Sequence, residues 1–193
     1  MDYMDRHSDN DINKLIFERW SPRSYKNKSI EEDKLNSILE AARWAPSCFN
    51  EQPWRFIVAQ SSEDRERVIA FLADANKAWC NNVPVFITVI SRADFAQSGK
   101  QNRWNGFDAG CSWGYIALEA RRQGLYAHAM GGFDRLKAKE ALKIPEGFEV
   151  YAVIALGERD IPEVLSEKLR EREKPSDRKP LKEIVFYGLY SDK

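Results

Sequence analysis

The chain has 193 residues, with 30 Lys and Arg against 30 Asp and Glu, so its formal net charge is zero. That length suits one domain able to bury about 70% of its unfolded surface, which makes a disulfide framework unnecessary. Balanced charge argues against a nucleic-acid partner, and 43% hydrophobic with 12% aromatic content excludes a disordered chain. Three cysteines, Cys48, Cys80 and Cys111, lack a CxxC spacing and fit reduced thiols in a cytoplasm better than a metal site. His7 and His128 are the only histidines, which all but excludes a His-based triad or a two-His metal centre. Residues 1–10, acidic at Asp2, Asp5 and Asp9, do not read as a signal peptide. The longest charge-free apolar run, 83–91, is too short to span a bilayer as a helix, so a soluble cytoplasmic protein without a membrane partner is expected.

In chain order, residues 11–18 read as a short amphipathic helix. Residues 31–44 read as a second, with Ser29 as N-cap, Glu32 three residues on, and an apolar face of Leu35, Ile38, Leu39 and Ala42. Pro46 stops it. Residues 54–59 (WRFIVA) predict a buried strand, after which Ser61 or Ser62 opens a helix carrying Val68, Ile69 and Leu72. Residues 84–91 (PVFITVIS) predict a second strand, rich in β-branched side chains. The most regular segment comes next: Phe107, Gly110, Cys111, Gly114, Tyr115 and Leu118 fall on one helical stripe. Gly106, Gly110 and Gly114 recur there every fourth residue. Each costs about 1 kcal/mol of helix propensity relative to Ala, which points to close approach of another backbone or a ligand. This is not a dinucleotide fingerprint, whose glycines must follow a strand and open a helix.

Gly124 ends that helix, 125–129 read as a short strand, and Asp134 caps a helix through Leu142. A strongly apolar strand follows at 148–156. The charged stretch 157–180 predicts an irregular surface arm, and 183–187 a final strand. The alternation of helices and strands suggests a three-layer α/β domain, without repeat or internal boundary.

Four short constellations could carry chemistry, and each alone is closer to an ordinary turn or solvated charge than to a site. Arg19 and Arg23 lie four apart with Ser21 between them, a set whose guanidinium forks and hydroxyl suit a phosphate. The loop APSCFNEQPW, residues 45–54, offers small and amide groups to a planar polar heterocycle. Gly131 and Gly132, between strand and helix, allow a flat ligand to approach the backbone. Arg178, in SDRKPL, is a further cation able to reach a phosphate.

Taken in this order, the pieces resemble the FMN-dependent nitroreductase family. RWSPRSY resembles its RRSxRxF, APSCFNEQPWRFIVA its APSSxNxQPWxFxVV, and GFDAGCSWGYIALEARRQGL its long central helix. IPEGFEVYAVIALGE and SDRKPLKEIV resemble its later strand and closing arm, so the likeness runs from about residue 19 to residue 185. The resemblance implies an α+β sandwich: one domain over 1–193, a central, mostly antiparallel sheet flanked by helices, and 157–193 as a C-terminal arm and strand. It also implies an intertwined homodimer with two FMN sites at its interface. Arg19, Ser21 and Arg23 would contact the FMN phosphate and ribityl chain, Trp20 through its backbone, and Arg178 the phosphate. Pro46, Ser47 and Asn50, with Cys48 lining, would lie against the isoalloxazine of the other subunit. Gly131 and Gly132 would meet the flavin edge with their amides, and Asn76 would contact the flavin. Ser176 stands where the family often has a lysine, with Lys174 as a substitute, and Phe49 replaces a smaller residue on the substrate side. The function implied is ping-pong hydride transfer from NADH or NADPH to a nitroaromatic, quinone or enal, with the flavin N5 as the reacting atom and no catalytic side chain. A flavin storage or sensing protein is the alternative.

Overall fold

The structure, a computed structural model, describes residue 6 and residues 8–190; Asp2, Asp5 and His7 lie outside the described residues. At its centre is β2 (Val85–Arg92), the strand whose run of β-branched residues marks it for burial on both faces. It pairs with β1 (Trp54–Ala59) on one side and β4 (Phe148–Gly157) on the other, and β3 (Tyr126–Met130) completes the order β1-β2-β4-β3. All three pairings are antiparallel. The α/β expectation drawn from alternation is therefore corrected, and the α+β sandwich implied by the resemblance is what the chain forms. Each strand is joined to the next through at least one helix, which in sequence imitates the crossover of a parallel pair.

Helices cover both faces. On β2, Val85, Ile87 and Val89 point to one side and Phe86 to the other; on β4, Ile154 and Leu156 oppose Val153 and Ala155. The first set packs under α2 (Glu32–Arg43) and α5 (Asn105–Arg122), through Leu35, Ile38 and Ala42 of α2 and Ala109, Ile116 and Ala120 of α5. The second packs under α3 (Ser62–Phe71) and α4 (Asp74–Cys80), through Val68, Phe71 and Trp79. Burial pushes the Cys80 thiol in that layer up to about 12, an inert core sulfur. The remaining short helices are α1 (Lys14–Glu18), α6 (Arg135–Ala141), α7 (Glu167–Arg170) and α8 (Leu181–Ile184).

Local details decide several boundaries. Ser61 caps α3 by accepting from the Asp64 N–H, and the Asp134 carboxylate caps α6 by accepting from Leu136 and Lys137. Ser29 does not cap α2: the N-cap position is Glu31, without a side-chain bond, and Glu32 and Asp33 favour that end by charge alone. The strand expected at 183–187 is instead α8 followed by extended Val185, because it pairs with no strand among the described residues. Nor is the arm wholly irregular. A 3₁₀ turn, Pro162–Val164, and α7 precede a fixed point at Glu173, whose side chain is buried. No helix among the described residues is long and apolar enough to cross a membrane.

Candidate functional site

The residues singled out by sequence gather in two places. The first is the turn following α1. Arg19 is the C-cap of α1 and lines a groove of about 510 Å³ between that helix and the arm. Arg6, Arg178 and Lys179 line it as well, against Asp9 and Asp177 as its acidic members. Burial first, then the guanidiniums of Arg178 and Arg6, lower the pKa of Arg19, so positive charge is crowded at this end of the helix. Arg178 is shaped locally: its Nη1 donates to the carbonyls of Ser176 (3.0 Å) and Asp177 (3.0 Å) and to Ser176 Oγ (3.3 Å). Ser176 thus orients Arg178, and the lysine lining the groove is Lys179 rather than Lys174.

Trp20 is buried, with Arg159 over its ring at 4.9 Å, so its side chain belongs to the core and only its backbone faces the turn. The rest of the turn is clamped from below. His128 Nδ1 lies 2.8 Å from the Pro22 carbonyl, which fixes Nδ1 as the protonated nitrogen. The His128 ring stacks on Trp79 at 4.9 Å, and Tyr25 stacks on the same indole at 6.1 Å. Burial lowers the His128 pKa and raises that of Tyr25 well above its ordinary value. From the arm, Glu173 accepts from the N–H groups of Arg23 and Ser24.

His128 lies on β3, which runs directly into Gly131 and Gly132. Both glycines are exposed, and a Cβ added at Gly131 would meet nothing within 4 Å. Asn76 of α4 donates from Nδ2 to the Gly132 carbonyl at 2.8 Å, and the Ala73 N–H donates to the same oxygen at 3.0 Å. Asn76 therefore shapes the glycine turn. Arg19, Ser21, Arg23, Asn76, Gly131, Gly132 and Arg178 thus share one edge of the molecule, tied through β3, α4 and the arm.

The second place is the loop before β1, where three residues without the glycine excuse hold positive φ: Phe49 (52°), Asn50 (56°) and Gln52 (50°). Such backbone costs about 1–3 kcal/mol per residue and persists where the surroundings over-determine it. Here they do. Ser47 Oγ accepts from the Gln52 N–H at 2.9 Å, Glu51 accepts from the Ala96 N–H at 2.6 Å, and buried Asp108 of α5 accepts from the Cys48 N–H at 3.2 Å. Burial raises the Asp108 pKa, a cost accepted for anchoring the loop. Phe49 is 90% exposed and touches Phe95 edge-on at 6.2 Å. Pro46, Ser47, Cys48 and Asn50 all lie here, at the β1 edge of the sheet. The turn and the glycines lie at the β3 edge, three strand spacings or about 14 Å across.

Sequence reasoning missed Glu173, Asp108, Arg6, Lys179 and the contact of His128. Glu173 sits in a run of alternating charge that reads as solvated, and nothing local marks it. Asp108 carried a signal, the one charged residue before Glu119 in the helix.

A model of the nitroreductase family matches residues 16–78, a segment that holds the turn, the loop and Asn76. A protein of Archaeoglobus fulgidus, provisionally named NADH dehydrogenase/NAD(P)H nitroreductase, is 31% identical over 75% of this chain and 83% of its own. An NADH dehydrogenase of Thermus thermophilus is 28% identical over 92% and 96%. Among solved structures, an oxidoreductase described as containing FMN superposes with a TM-score of 0.93 at 38% identity, covering 97% of each chain. A nitroreductase family protein of Clostridium difficile superposes at 0.71 with 28% identity, covering 91% and 97%. Fold and motifs together define an oxidoreductase of the α+β sandwich class. Within that class, the chain belongs to the nitroreductase family.

Proposed function

We propose that the protein is an FMN-dependent oxidoreductase that moves hydride from NADH or NADPH to an organic acceptor, a nitroaromatic, quinone or enal, in a ping-pong sequence. The observation that carries this reading is the crowding of Arg19, Arg178 and Arg6 around one groove, a field that a phosphate dianion relieves. FMN fits the residues present. Arg19, Ser21, Arg23 and Arg178 would hold its phosphate and ribityl chain, with Trp20 contributing backbone. Gly131 leaves room over its backbone for a flat ring, and Asn76 would contact the flavin from the Gly132 side. The solved relative described as containing FMN supports the same cofactor. When bound, FMN supplies reversible hydride acceptance, for which no side chain here is suited. The chain's own part is to bind, to orient and to shield the ring from water.

One chain presents only half of such a site, because the strained loop with Pro46, Ser47, Cys48 and Asn50 lies at the far sheet edge. A homodimer supplies the other half, bringing the loop of one chain to the turn of its partner. Exposed apolar groups on that side support it: Trp44, Phe49, Trp104, Phe107 and Tyr115 surround the outward face of α5. A small-molecule acceptor would enter beside Phe49.

Two measurements test the reading. Purified protein should absorb as a flavoprotein and bleach on anaerobic addition of NADH or NADPH. A flavin that neither donor bleaches would favour storage or sensing, and failure to take up FMN at all would refute the cofactor assignment. In Arg19→Ala and Arg23→Ala, FMN binding should weaken by about 1.5–3 kcal/mol each, the worth of a charged hydrogen bond. Unchanged flavin retention in the double variant would remove the phosphate assignment.

A further inference from the structure

The C-terminal arm carries a carboxylate in an unusual setting. Glu173 is only 6% exposed, and burying a charge is costly unless hydrogen bonds replace its water. Its partners are the Arg23 N–H, at 2.9 Å from each oxygen, the Ser24 N–H at 2.9 Å and the Ser24 hydroxyl at 2.6 Å. Two successive main-chain amides aimed at one carboxylate form the kind of concavity that binds anions. The amides belong to the turn that carries Arg23, and Arg178 follows Glu173 by five residues in the arm. Five residues span at most about 17 Å, so fixing Glu173 bounds where Arg178 can stand. Burial of Leu165 earlier in the arm already ties that segment to the core. An acid directed at this turn does something that apolar packing does not: it sets the arm and the turn relative to one another.

We propose that Glu173 is a positioning residue, a latch that holds the arm on the turn so that Arg23 and Arg178 are presented together to the phosphate of the cofactor. The proposal rests on the FMN reading above. Without the latch, the two arginines belong to segments 155 positions apart in the chain and meet the phosphate independently. With it, binding draws on an arrangement set in advance.

The test compares FMN with riboflavin, which lacks only the phosphate, by titrating both into the full-length apoprotein of wild type, Glu173→Gln and Ser24→Ala. A latch makes the affinity ratio of FMN to riboflavin fall at least about tenfold in Glu173→Gln, with riboflavin affinity little changed. Ser24→Ala removes one contact of the four and should lower the ratio about two- to tenfold, which keeps the question decidable if Glu173→Gln does not fold. General loosening would weaken both ligands alike and leave the ratio unaltered. An unaltered ratio in the variants that fold overturns the latch. A wild-type protein binding riboflavin as tightly as FMN overturns the phosphate reading itself, and the latch with it.

Discussion

The burial of His128 beneath the turn at Pro22 gives the stability of the fold there a dependence on acidity, which its bond to the Pro22 carbonyl partly opposes. Burial is the main cause lowering the His128 pKa in the folded chain, so the unfolded chain takes up a proton more readily. Protonation therefore favours unfolding. The contribution is intact above about pH 6.5 and is lost as the pH falls from there toward the lower folded value. Thermal melts between about pH 7.5 and 5 should show the wild-type Tm dropping in that window, and a flatter profile in His128→Gln. Equal slopes would assign the acid sensitivity to other groups. At this scale the sequence was informative about residue types and poor about partners. The arginines, glycines and loop residues are visible as motifs, whereas the role of Glu173 depends on a turn 149 and 150 positions away.

Among the elements, α5 has two faces with opposite demands. Its inner face buries Ala109, Ser112, Ile116, Ala117 and Ala120 against the sheet, small residues that allow a close fit. The stripe noted in the sequence, from Phe107 to Leu118, lies on the other side, where Phe107 is 76% exposed. Glycines on the two sides answer to different neighbours. A Cβ at Gly106 would come within 2.9 Å of the Tyr151 ring, whose hydroxyl bonds Asn105 Oδ1 at 2.5 Å. Gly106→Ala should therefore lower the Tm despite the better helix propensity of Ala, and an unchanged or higher Tm would mean that the ring yields freely. At Gly110 and Gly114 an added Cβ meets nothing within 4 Å. If the proposed homodimer packs on this face, Gly110→Leu should fold yet sediment as a monomer; a dimer of normal strength would exclude this face from the interface. The residue pattern marked β1 and the core-facing side of α2 because those segments are long enough, or apolar enough, for periodicity to speak. The antiparallel order, α4 and α8 escaped it. Strand direction is set by contacts distant in sequence, and the two helices have only seven and four residues.

Across the whole molecule, the separation of the turn from the loop by the width of the sheet has a genetic consequence. If each cofactor lies between two chains, damage to the turn and damage to the loop fall in different sites when they sit on different chains. A heterodimer of an Arg19→Ala, Arg23→Ala chain with a chain damaged at Asn50 then contains one site bearing both lesions and one bearing neither. Equal mixing of the two inactive proteins, with free exchange of subunits, should restore about a quarter of the wild-type sites. If both halves of the site came from the same chain, mixing would restore nothing. The same arithmetic governs a cell carrying two such alleles, in which two defective copies would complement each other.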